Sequence, residues 1–222
     1  LRNNYFKIFI IILISLLLDS LSILSIDNPP AWDQGYHLSN VFKMYNILDS
    51  SNFNLLNQIN KLLDITNSYR GPLTYFLSGI FLKIFNNSYF YAYLSNHIFN
   101  IVCLFSIFNL GKIFKNSSTG IWAALIFTFS KLIINQRADY LIDLSLTSFS
   151  TLNLLLLTKW YLETKNNRLF SILSGFSLGL VFLTKPTGVT LFILPLLIIF
   201  IKKFKITNNK IIFINKIILF LS

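Results

Sequence analysis

Apolar residues run along this chain in long blocks separated by short polar turns. The blocks cover residues 5–26, 89–110, 120–135, 141–161, 169–184, 189–201 and 211–221. Crossing a hydrocarbon core of ~30 Å takes ~20 residues of helix at ~1.5 Å per residue, so the shorter blocks predict spans with loose boundaries. Between the first and second blocks lies a polar stretch, 27–88, containing two pieces with helical periodicity. Residues 34–48 put Leu38, Val41, Phe42, Tyr45 and Leu48 on one face. Residues 72–85 put Leu73, Phe76, Leu77, Ile80, Phe81, Ile84 and Phe85 on one face and Thr74, Ser78, Gly79 and Lys83 on the other. The second piece rises only ~21 Å as a helix, which predicts an amphipathic helix lying along the membrane surface.

Composition agrees with a bilayer as solvent: 54% of the 222 residues are hydrophobic and 12% are charged, against about a quarter charged in soluble domains. The net charge of +11 does not form one patch, which argues against a nucleic-acid partner. It falls in short clusters between the blocks and so reports topology. With 72–85 not spanning, Arg2, Lys7, Lys112, Lys115, Lys159, Lys165, Arg168, Lys202, Lys203, Lys205 and Lys210 collect on one side. Lys43, Lys61, Arg70, Lys83, Lys131, Arg137 and Lys185 are spread over a much longer polar length on the other. The positive-inside rule then places the N-terminus and loops 112–119, 159–168 and 202–210 in the cytoplasm. Loop 27–88 and the turns at 136–141 and 185–188 face the periplasm or exterior of a plasma (inner) membrane. The lone Cys103 gives neither a disulfide framework nor a Cys-based metal site.

The expected fold is all-α: a polytopic transmembrane helical bundle forming one module over 1–222, with juxtamembrane helices in the 27–88 loop. The first block is too long for a signal-peptide core and reads as a retained helix. A start at Leu1 and an apolar block at the end give the expectation of a fragment, truncated at its C-terminus.

Four places on the outer side put ionisable groups beside apolar helices: Trp32-Asp33-Gln34-Gly35-Tyr36-His37, Tyr69-Arg70-Gly71-Pro72, Arg137-Ala138-Asp139-Tyr140-Leu141-Ile142-Asp143, and Leu183-Thr184-Lys185-Pro186-Thr187-Gly188. An N-terminal membrane helix, an acid shortly before Gly-Tyr, a basic residue and Pro-Leu opening an amphipathic helix, and a Thr-Lys-Pro turn after a segment with Gly175 and Gly179 follow in that order. The whole resembles the GT-C glycosyltransferases, more narrowly the branch holding protein O-mannosyltransferases and the aminoarabinose transferases of lipid A.

That resemblance implies an inverting enzyme moving a sugar from a polyprenyl-phosphate donor to an acceptor hydroxyl, on protein, lipid A or a glycan. It implies that Asp33 is the catalytic acid-base group and that Arg70 and Lys185 bind the donor phosphate. Asp143, Arg137 and Tyr36 are candidates for a supporting or substrate-binding role. A carboxylate at the membrane surface suits proton abstraction from a hydroxyl, or a divalent cation on the phosphate. The family often has Asp-Glu where this chain has Asp33-Gln34, which removes a second carboxylate from such a metal site. A guanidinium suits bidentate capture of a phosphate. The plainer readings are a helix-capping Asp33, an Arg70 touching headgroups, and a Lys185 snorkelling to the interface. His37 and His97 show no metal-ligand spacing and are expected to be structural, and Asp19, deep in the first block, is expected to face the bundle. The competing class is a non-enzymatic membrane protein, either a transporter or a lipid-handling or assembly subunit.

Overall fold

The computed structural model of the chain describes residues 2–25, 32–49, 60–61, 65, 70–85, 88–162 and 167–208. The regular elements among them are helical: α1 (Arg2–Leu24), α2 (Trp32–Asp49), α3 (Leu73–Phe85), α4 (Tyr89–Phe114), α5 (Ser117–Phe129), α6 (Lys131–Ala138), α7 (Ile142–Leu162), α8 (Asn167–Thr184), a 3-10 turn (Pro186–Phe192) and α9 (Ile193–Asn208). The protein is an all-α membrane helical bundle. By length and composition α1, from Asn4, and α4 can each cross a membrane, and α5 with α6 makes a third span if the bent pair counts as one. The predicted block 211–221 lies outside the described residues.

α4 lies at the centre, packed against α1, α3, α5 and α7, while α7 and α8 form a hairpin. α4 and α5 approach so closely that a Cβ on Gly111 would sit 2.6 Å from Gly120 Cα, and one on Gly120 would sit 2.3 Å from the Phe108 carbonyl oxygen. Small residues at such a crossing let helices gain dispersion contacts where lipid offers no hydrophobic drive.

Block 120–135, read as one span, is broken. Ser130 adopts an extended conformation (φ −65°, ψ 122°), and α5 and α6 meet at 62°. Breaking a helix frees carbonyls that lipid cannot satisfy. The Arg137 guanidinium folds back and donates to the Thr128 carbonyl at 2.9 Å, while its Nε stands 2.8 Å from Asp19 Oδ1 on α1. Asn100 of α4 donates to the other Asp19 oxygen and to Ser15 Oγ, both at 2.7 Å. Asp19 therefore does face the bundle, almost fully buried.

α3 falls where its periodicity predicts, with its hydroxyl-bearing face turned into the protein. It buries Thr74, Tyr75, Ser78, Gly79 and Leu82 and exposes Phe76, Ile84 and Phe85. Thr74 pairs with Ser145 at 2.7 Å and Ser78 with Ser95 at 2.6 Å, and Ser78 also meets the Tyr140 hydroxyl. In a bilayer the apolar side chains are already solvated, whereas hydroxyls need partners inside the protein. α1 follows the same rule, with Phe6, Phe9, Leu17 and Leu21 outward and Ser15 and Asp19 inward. α2 packs on α3 and contributes Leu38, Val41, Met44 and Ile47 to a core shared with Tyr75, Leu82 and Tyr93.

Candidate active site

Four chain segments converge on one cavity. Asp33 lies in the first turn of α2, where the helix dipole favours a carboxylate. Arg70 precedes α3 and is fixed by main chain: Gly71 N–H donates to the Thr184 carbonyl, at the end of α8, at 3.0 Å. A Cβ on Gly71 would lie 1.9 Å from the Leu183 carbonyl oxygen, so glycine is required for this approach. Lys185 leaves α8 in extended conformation and heads the 3-10 turn, with Pro186 as its first residue. Gly188 N–H donates back to the Lys185 carbonyl at 2.8 Å. Asp143 sits in the first turn of α7.

Their side chains pair across the cavity. Arg70 Nη2 stands 3.2 Å from Asp33 Oδ1, the arginine side chain being 26% exposed and the aspartate 72%. Lys185 Nζ stands 3.0 Å from Asp143 Oδ1, at 29% and 43% exposure. Pairs this wet contribute at most about 1 kcal/mol each and leave their members available to a ligand. The Arg70 guanidinium also lies over the Tyr36 ring, 4.3 Å from its centroid. The cavity, about 360 Å³, is lined by Asp33, His37, Arg70, Leu141, Ile142, Asp143 and Lys185, within the range of small-ligand sites.

His37, expected to be structural, also forms part of this wall. It is buried, its Nδ1 is held by the Tyr75 hydroxyl at 2.7 Å, and burial pushes its pKa down to about 4, with the Arg70 charge acting in the same direction. The ring is therefore neutral at pH 7. Its spacing four residues after Asp33, one helical turn along the same face, was the available signal. Gln34, which stands where the resemblance leads one to look for Glu, donates to Asp139 Oδ1 at 2.6 Å and ties α2 to the turn between α6 and α7.

Arg137 is not in the cavity. Its side chain, a candidate for a supporting or substrate-binding role, is instead completely buried against Asp19, where it serves the helix break. Among the described residues no three His, Cys, Asp or Glu side chains converge on a metal position, and both cavity carboxylates face cationic side chains.

The sequence profile of the family described as dolichyl-phosphate-mannose-protein mannosyltransferase matches residues 69–222. The match takes in Arg70, Asp143 and Lys185, while Asp33 lies ahead of it. No curated protein and no solved structure matches the chain. Members of this family are membrane glycosyltransferases that draw on a sugar linked to a polyprenyl phosphate. With most of its length matched by that profile, the chain belongs to the dolichyl-phosphate-mannose-protein mannosyltransferase family of the GT-C superfamily.

Proposed function

We propose that the cavity is the active site of an inverting glycosyltransferase. Arg70 and Lys185 bind the phosphate of a polyprenyl-phosphate sugar, and Asp33 acts as general base on an acceptor hydroxyl. Asp143 holds the Lys185 ammonium in position, and the turn carrying Lys185 borders a lipid-like surface, with Phe182, Leu183, Val189 and Phe192 exposed, along which an isoprenoid chain fits. In the reaction Asp33 takes the hydroxyl proton as the acceptor oxygen attacks the anomeric carbon from the face opposite the phosphate. The bond from that carbon to the phosphate oxygen breaks, and polyprenyl phosphate leaves with the electron pair, its new charge met by the two cations.

The observation that carries this reading is the meeting of Asp33, Arg70, Asp143 and Lys185, distant in sequence, around one cavity. The distribution of basic residues supports an extracytoplasmic location for it at the plasma membrane. The decisive assay is sugar transfer from a polyprenyl-phosphate donor by protein in detergent. Asp33→Asn is expected to lower turnover about 10²- to 10⁴-fold, and full activity in that variant refutes the assignment of the base. A reporter fused at residue 60 is expected on the non-cytoplasmic side; a cytosolic signal refutes the topology.

A further inference from the structure

The pairing of Asp33 with Arg70 is at odds with both of their proposed roles. The guanidinium occupies a carboxylate oxygen that would take a hydroxyl proton, and a carboxylate on a guanidinium occupies the fork that a phosphate would use. The geometry shows which partner is free to leave. Asp33 is the most exposed of the four charged side chains and makes a single contact with Arg70, through Oδ1. Arg70 is held twice more, by the Tyr36 ring beneath its guanidinium and by the main-chain bond of the next residue to Thr184.

We infer that the donor phosphate displaces Asp33 from Arg70, that the carboxylate stays masked until a donor binds, and that Tyr36 is the positioning residue keeping the guanidinium in place through the exchange. This rests on the reading of the cavity as a donor site. The phosphate is the stronger partner because it accepts two parallel hydrogen bonds from the guanidinium. It also has Lys185 within the same cavity. Once released, Asp33 has both carboxylate oxygens open to an acceptor hydroxyl, the Oδ1 that Arg70 held included. Asp33 thus opposes donor binding in the resting protein and is needed for the chemistry afterwards.

The two effects separate in a binding titration with farnesyl phosphate on the whole chain in detergent, with farnesol as the control for tail partitioning. Asp33→Asn, which keeps shape and removes charge, is expected to bind farnesyl phosphate about two- to fivefold more tightly than wild type, the strength of an exposed ion pair. Tyr36→Leu is expected to bind it about two- to fivefold more weakly, and Tyr36→Phe to fall between that variant and wild type, because the ring face holds the guanidinium and the hydroxyl bonds to Arg70 and Asn40. In an Arg70→Gln background the Tyr36→Leu effect is expected to vanish, which a merely structural role for the ring would not produce. Unchanged or weaker binding by Asp33→Asn overturns the exchange. A Tyr36→Leu effect that persists without Arg70 overturns the positioning role. Wild-type protein that binds farnesyl phosphate no better than farnesol refutes the donor-site reading itself, and the exchange with it.

Discussion

Asp19 on α1 and Arg137 on α6 stand 2.8 Å apart in the interior of the bundle, with the guanidinium fully buried and the carboxylate almost so. The pair closes a network that includes Asn100, Ser15 and the carbonyl of Thr128. It fastens the first helix to the bend between α5 and α6, and it supplies a hydrogen-bond donor at the place where the helical ladder is interrupted.

Removing one member strands the other. Asp19→Leu is expected to cost about 3–5 kcal/mol, as does breaking other buried pairs. The double variant Asp19→Leu with Arg137→Met is expected to cost less than the sum of the two single changes. Unfolding by detergent titration measures the three variants, and strict additivity would show that the two charges do not depend on each other.

Two glycines should respond in opposite ways to the same methyl group. Gly71→Ala drives a Cβ into the Leu183 carbonyl, so the segment bearing Arg70 must shift; a loss of about 1–3 kcal/mol in stability and of up to about 10²-fold in transfer rate is expected. Gly175→Ala meets nothing within 4 Å and removes the helix penalty of glycine, so it is expected to leave transfer intact and raise stability by up to about 1 kcal/mol. Melting temperature and initial transfer rate, read together, check both.

His37 gives acid sensitivity. Its pKa is about 4 in the folded protein against about 6.5 when exposed. Above about pH 6.5 both states are neutral and the group contributes nothing to the pH dependence. Between about 6.5 and 4 the unfolded chain binds a proton that the folded chain does not, so stability falls as pH is lowered through this window. His37→Gln is expected to flatten that part of the decline in melting temperature measured from pH 7.5 to 4.5. A decline identical to wild type would mean that the ring takes up its proton without leaving its place.

On α3 the polar face carries the stability. Ser78→Ala removes a partner from the Ser95 and Tyr140 hydroxyls and is expected to cost about 1–3 kcal/mol. Phe76→Ala, on the exposed face, is expected to change stability by about 0.5 kcal/mol or less. Unfolding curves of the two variants in the same detergent distinguish this arrangement from a water-soluble amphipathic helix, for which the order would be reversed.

Helix positions were legible because apolar blocks and 3.6-residue periods survive any choice of solvent. Asp33, Arg70, Asp143 and Lys185 were legible because each interrupts or borders an apolar block, where a charge is costly without a partner. The break at Ser130 was not, since no Pro or Gly marks it and its compensation comes from Arg137 and Asp19, far apart in sequence. The inward turn of the Arg137 side chain was hidden for a related reason: beside Asp139 it resembles a turn residue, and only the bend carries it inward. The two faces of α3 were legible from the period of 3.6, but the partners of its hydroxyls, Ser95, Tyr140 and Ser145, were not, because they lie far away in sequence. His37 was read as structural alone because a single histidine without ligand spacing gives no further signal until its neighbours are known.

The bond from Gly71 to Thr184 joins main chain to main chain, so the separation of the two cations is written into the backbone and cannot be tuned by exchanging a side chain. The remaining wall, Leu141, Ile142 and the edge of His37, is made of side chains and can change without moving that bond. Under the proposed function, exchanges at those positions alter what fits beside the cations and leave the cations in place.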